Sequence, residues 1–260
     1  MLEITDAQIS SWVSHVLWPL FRITAFFSIV PIFGSRLVTI RVRVMLGAIV
    51  TTIVYPLLPP MPVIESLSLL TWIIIAQQMV IGVALGFLVL TLFQVFILAG
   101  QTIAMQMGLG YASMMDPANG VSVTVLSQWY LTLVTLIFLA LNGHLIVVEV
   151  MIESFYTLPV GPQGLSTTSF YQIAQWVQWL FASAVSLALP AIGALLLVNL
   201  SFGVISRAAP SMNVFALGFP ITMMMGLLVL WLSFSSVATT VQVYFEQLVD
   251  MMKAIVLIQP

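Results

Sequence analysis

Four stretches of this chain contain no Asp, Glu, Lys or Arg: Ser66 to Met115, Pro117 to Val148, Ser154 to Ser206 and Ala208 to Phe245. A hydrocarbon crossing needs about 20 mainly apolar residues to cover about 30 Å, so these intervals hold at least four crossings. In lipid every backbone polar group must be satisfied internally, and a helix does this within one segment. Of the 260 residues, 62% are hydrophobic and 5% are charged. A soluble domain carries about 25% charge. The balance excludes a disordered chain, a nucleic-acid-binding domain and an ordinary soluble enzyme. The fold class that follows is an all-α membrane protein of about six long, partly kinked hydrophobic helices.

Residue chemistry narrows the function by elimination. There is no cysteine, hence no disulfide scaffold, thiolate nucleophile or zinc-thiolate site. His15 and His144 lie in different segments, and no ligand cluster has metal spacing. No paired catalytic groups occupy recognisable positions. Catalytic, cofactor and metal residues are therefore all expected to be absent.

Along the chain, segment one runs from Ser11 to Phe33 and carries Arg22. A mid-segment arginine costs about 2.5–3.5 kcal/mol on insertion scales. Either it bonds to carbonyls or snorkels within the bundle, or it is salt-bridged across helices or lines a polar path. A basic connector with Arg36, Arg41 and Arg43 follows. Segment two, Val44 to Leu58, is short for a span and stops at Pro59-Pro60-Met61-Pro62; it is tilted, partly re-entrant, or not exposed to the full bilayer. Segment three, from Leu69 to at least Leu98 and as far as Gln106, is longer than the hydrocarbon requires. Gly82 and Gly86, four residues apart within it, suit close helix contact.

The stretch from Gly108 to Gly120 differs from the rest. Gly108, Gly110, Met114, Met115, Asp116, Pro117, Asn119 and Gly120 mark irregular, weakly charged backbone. Such backbone is tolerated at membrane depth only against protein or a water-filled cavity. It is either an interfacial loop or a re-entrant, lumen-facing element. Segment four, Val123 to Ile152, places Thr124, Gln128, Thr135, Asn142, Glu149 and Glu153 within about 60° of one helical wheel. That stripe reads as an interhelical hydrogen-bonding face or as a conducting surface. Asn142-Gly143-His144 is a point where the helix can loosen or bend.

A Pro- and Gly-rich loop, Thr157 to Ser169, divides the chain into an N-terminal half, 1–156, and a C-terminal half, 157–260. Segment five, Tyr171 to Val204, contains Pro190 as a kink site. After a turn with Arg207, Pro210 and Asn213, segment six runs from Val214 to Val243. It carries Gly218 and Pro220 near its start and Gly226 on a small-residue face. The tail, Tyr244 to Pro260, extends segment six or lies at an interface. With six crossings, Arg36, Arg41, Arg43 and Arg207 share one side and Lys253 the other. The positive-inside rule then puts both termini outside, and the order inverts after segment two if that segment does not span. Overlong segments, mid-helix glycines and polar faces in one chain call for neighbours that hide them, so the chain is expected to be one piece of a larger helical assembly.

Several local patterns occur together. They are Arg22, Pro31 and Phe33-Gly34; Gly100-Gln101; Gln106-Met107-Gly108; Met115-Asp116-Pro117; Asn142-Gly143-His144; Ser154-Phe155; and the run from Arg207 to Pro220, RAAPSMNVFALGFP. Over essentially the whole chain they resemble the FliR family of flagellar biosynthetic proteins. The resemblance implies a non-enzymatic core subunit of the flagellar type III export gate in the bacterial inner membrane and flagellar basal body. It implies one copy assembled with several copies each of FliP and FliQ, in contact with FlhB, passing unfolded flagellar proteins. It also implies a plug-like loop in the gate lumen, matched by position to Gly108 to Gly120. The rival readings are a stand-alone small-molecule or ion transporter, and a scaffold subunit of another membrane complex. The transporter predicts internal repeats and a charged broken-helix site; no clear repeat is present.

Overall fold

The computed structural model describes residues 6–34, 38–62, 68–109, 124–208 and 214–257, with side chains from His15 in the first stretch and from Gly218 in the last. Among the described residues there are seven α-helices and no strand. They are α1 (Asp6–Ile29), α2 (Ile40–Val54), α3 (Leu69–Gln106), α4 (Val125–Ala140), α5 (Gly143–Thr157), α6 (Thr167–Ala208) and α7 (Val214–Leu257). A single 3-10 turn, Tyr55–Leu57, prolongs α2. Four helical stretches are long and apolar enough to cross a membrane: Ile40–Leu57, Leu69–Gln106, Thr167–Ala208 and Gly218–Leu257. The broken pair α4–α5 is a fifth if counted as one span, and the apolar part of α1, His15–Ile29, is shorter. The protein is an all-α membrane protein.

Local chemistry explains where these helices start and stop. The Ser68 hydroxyl accepts from the Thr71 amide at 3.3 Å and so caps α3; Thr124 does the same for Ser127 at the head of α4, and Ser166 for Ser169 at the head of α6. The end of α3 is a glycine stop. Gly108 sits at φ +83°, its amide donates to Met105 O at 3.0 Å, and the Leu109 amide donates to Ala104 O at 2.9 Å. These are the two bonds of a Schellman motif, which needs a left-handed residue at that point. Proline ends α2, through Pro56 and then Pro59-Pro60.

Segment four is the one expected helix that the structure breaks. Asn142 adopts φ 55°, ψ 24°, between the end of α4 at Ala140 and the start of α5 at Gly143. Asparagine tolerates the left-handed region better than other residues with a Cβ, and it ends helices in that conformation. A helical wheel advanced at 100° per residue loses its phase there, so the stripe from Thr124 to Glu153 is two short faces. By contrast, α3 runs on to Gln106, and the tail continues α7 to Leu257.

Contacts group the chain into two compact units. Unit 1 comprises Met1–Thr91, Asn142–Val177 and Phe245–Pro260; unit 2 comprises Leu92–Leu141 and Gln178–Tyr244. The core of unit 1 contains Trp18, Phe26, Ile81, Leu85, Leu88 and Phe155, all essentially inaccessible. That of unit 2 contains Leu92, Phe93, Phe96 and Phe138, with the Phe93 and Phe138 rings edge to face at 5.3 Å. Each helix α3, α6 and α7 contributes residues to both units.

Candidate functional site

In unit 1 the chemistry centres on Arg22. The side chain is fully buried. Its Nε donates to Gln78 Oε1 at 2.8 Å. One terminal nitrogen donates to Ser154 O at 2.9 Å and to Ser154 Oγ at 3.0 Å, and the other donates to Leu158 O at 3.0 Å. The guanidinium carbon lies 4.1 Å from the centre of the Phe155 ring. One cation thereby ties α1 to α3 and to the C-terminal end of α5. A positive charge is favoured at a helix C-terminus, where carbonyls lack helical donors. Of the two roles open for Arg22, the geometry is that of an arginine bonded to carbonyls and an amide inside the bundle.

The same helices touch through glycine. A Cβ built on Gly82 would lie 2.2 Å from the Arg22 carbonyl oxygen, and one on Gly86 would lie 2.9 Å from Phe26 O and Ile29 Cβ. The α1 and α3 backbones thus approach too closely for any side chain at these two positions. This contact presents the Arg22 side chain to Gln78, one turn before Gly82. Elsewhere in unit 1, Trp18 Nε1 on α1 donates to Pro62 O at 3.1 Å and Gln77 Nε2 on α3 donates to Pro162 O at 2.6 Å. The proline-rich connectors are thereby pinned to helices.

In unit 2, Gly100 plays the corresponding part. A Cβ there would meet Ser127 Cα at 2.9 Å, and Ser127 Oγ donates to Ile97 O at 2.9 Å. The start of α4 is thus fastened to the last third of α3. A Cβ on Gly108 would meet the Phe219 ring at 3.0 Å, and one on Gly226 would meet the Met107 side chain at 2.5–2.6 Å. Gly218 is looser, with its nearest neighbour, Phe202 Cγ, at 4.0 Å.

The remaining expected residues are placed as follows. Gln128, Asn142 and Glu149 are exposed, as is Glu153. Arg207 is exposed in the last turn of α6. Pro190 lies inside α6, exposed and beside a cavity, and Pro220 lies inside α7. Gly110, Met114, Met115, Asp116, Pro117, Asn119, Gly120, Pro210 and Asn213 lie outside the described residues. Among the described residues no group of three or more His, Cys, Asp or Glu could hold a metal ion.

The structure also brings in residues that sequence reasoning passed over, Gln78 as an Arg22 partner and Gly47 and Ser127 as contact points, and gives a contact to two that the sequence patterns contained without one, Ser154 and Gly100. Gln78 had a usable signal. An amide in a long charge-free helix needs a partner, and Arg22 is the one lysine or arginine inside the first segment. Their separation of 56 residues hid the pairing.

A sequence profile described as bacterial export proteins, family 1, matches residues 13–248. The chain belongs to this family. Flagellar biosynthetic protein FliR of Escherichia coli (strain K12) is 37% identical over 229 residues, covering 87% of each chain. FliR of Pectobacterium carotovorum subsp. carotovorum is 34% identical over 254 residues, 97% of this chain and 96% of the relative. The surface presentation of antigens protein SpaR of Shigella sonnei is 29% identical over 161 residues, 62% of each. The matched span of this export family takes in the Arg22 cluster, the α1–α3 glycine contact, Gly100 and the Asn142 break.

Proposed function

We propose that this chain is a FliR-type subunit of the flagellar type III protein export gate in the bacterial inner membrane. It forms part of the path for unfolded flagellar proteins, assembles with FliP and FliQ, and contacts FlhB. The observation that carries this reading is the FliR likeness over nearly the full length of both chains. The uneven burial of the helices supports it. In the most apolar stretch of each, 67% of α3 is buried, against 28% of α6 and 22% of α7. Two long helices with largely uncovered faces fit a chain completed by other subunits. The segment from Gly108 to Gly120 acts as the apolar plug of the lumen, and both termini lie on the periplasmic side.

The test is complementation and co-purification. The full chain is expressed in a motile bacterium that lacks its own FliR, with an affinity tag. Restored swimming and recovery of FliP and FliQ with the tagged chain support the assignment. A lone monodisperse monomer that restores no swimming refutes it. For the plug, deletion of Gly110 to Ala118 is expected to make the reconstituted gate conduct ions at rest. Unchanged conductance removes the plug assignment and leaves the subunit assignment standing.

A further inference from the structure

Unit 2 holds a cavity of about 210 Å³ lined by residues of α3, α4, α6 and α7. Six hydroxyl-bearing residues face it: Tyr130, Ser186, Ser233, Ser236, Thr240 and Tyr244. The direction of their hydrogen bonds decides what it can hold. Ser233 donates to Val229 O at 2.8 Å, Ser236 to Ser233 O at 2.7 Å, Thr240 to Ser236 O at 2.8 Å and Tyr244 to Ser183 O at 3.4 Å. Their protons are spent on helix carbonyls, and what remains toward the cavity is oxygen lone pairs. Pro190 also lines it and has no N–H, so the Ser186 carbonyl four residues earlier lacks its helical donor. Tyr130 is 2% exposed and its hydroxyl makes no hydrogen bond among the described residues.

The cavity is thus rich in acceptors, holds no carboxylate or cation in its lining, and contains a buried phenol in want of a partner. Leaving such groups dry is costly. Water answers the need, because each molecule donates twice and also accepts from the phenol. One water requires only about 10–15 Å³ of this volume, so there is room for several. A neighbouring hollow of about 380 Å³ in the same unit gives the contrast. It shares Leu230 and is lined by Met107, Trp129, Leu227, Trp231 and Phe234, so its wall is almost wholly apolar and carries no hydroxyl.

We infer that the hydroxyl-lined cleft between α6 and α7 of unit 2 is a water-binding site, which keeps this part of an otherwise apolar chain hydrated. The inference goes beyond the export assignment and does not depend on it.

The chain contains no cysteine, so single substitutions report one position each. Ser186→Cys, Ser236→Cys and Thr240→Cys, on two helices, are compared with Leu228→Cys and Leu232→Cys, exposed apolar positions of α7 outside the cleft lining. The full chain is labelled in native membranes with a small, charged methanethiosulfonate reagent, which attacks only a hydrated thiolate. Variants that accumulate to parental level are scored. Reaction at cleft positions at least about tenfold faster than at both leucine positions is expected. Rates no faster than the leucine positions overturn the inference. Tyr130→Phe gives a second readout in the purified full-length protein. With water bound, loss of the hydroxyl lowers the melting temperature, by about 2–4 °C. A melting temperature unchanged or raised means the phenol was dry and overturns the inference as well.

Discussion

Arg22 offers the sharpest perturbation in unit 1. Replacement by methionine keeps an unbranched, shorter side chain and removes every donor. Three partner groups then lose their hydrogen-bond donor: Gln78 Oε1, the Ser154 oxygens and Leu158 O. Hydrogen bonds to a charged group contribute about 1.5–3 kcal/mol each. The loss is partly offset because a cation no longer has to be buried in an apolar segment, which costs about 2.5–3.5 kcal/mol. The net destabilisation of Arg22→Met is then about 2–5 kcal/mol. For a chain of this size that corresponds to a drop in melting temperature of about 5–15 °C, read by fluorescence-detected size exclusion after heating the detergent-solubilised protein.

Lysine discriminates charge from shape. It keeps the cation but replaces a planar fork, which reaches two helices at once, with a single ammonium. Arg22→Lys is expected to fall near Arg22→Met rather than near the parent. A double-mutant cycle with Gln78→Leu isolates the Nε contact, for which a coupling of about 1–3 kcal/mol is expected. A methionine variant that melts within about 2 °C of the parent, with no coupling to Gln78, would refute the view that the guanidinium holds α1, α3 and α5 together.

Further expectations concern backbone approach and helix ends. Gly82→Ala and Gly100→Ala put a Cβ against backbone atoms at 2.2 and 2.9 Å and should each cost about 1–3 kcal/mol or more, whereas Gly193→Ala meets nothing within 4 Å and should gain about 0.5–1 kcal/mol by helix propensity. The same thermal assay ranks all three, and equal effects would contradict the contact geometry. Asn142→Ala places a residue of low left-handed tolerance at φ 55° and should cost about 1–2 kcal/mol, while Asn142→Gly should be neutral. Ser166→Ala removes the cap on the Ser169 amide and should lower stability by about 1 kcal/mol.

How much of this was legible depends on the range of the interaction. Helix existence was local: charge-free apolar runs, the proline stop after α2 and the glycine stop after α3 act within a few residues. The Asn142-Gly143 pair announced a weak point, but not its conformation. Whether asparagine bends a helix or breaks it depends on whether the helices on either side gain more by packing separately than by remaining continuous. Here Phe138 buries in unit 2, and Val147, Met151 and Phe155 bury in unit 1. Arg22 shows the opposite limit. Its burial cost was visible in sequence, yet its acceptors lie 56, 132 and 136 residues away. No periodicity encodes such a pairing.

The uncovered faces of α6 and α7 carry the argument from chain to assembly. Lipid alone would suit Phe181, Leu189, Leu196 and Leu200 on α6, and Leu228 and Leu232 on α7. It would not suit Asn199, which is also exposed on α6, nor Glu149 and Glu153 on α5. A carboxylate or amide facing hydrocarbon is expensive, whereas one facing a partner helix or a hydrated lumen is not. A chain that interleaves both kinds of residue along the same helices therefore needs two kinds of neighbour. That requirement favours a subunit walled by other proteins and open to water on one side over a transporter complete in itself.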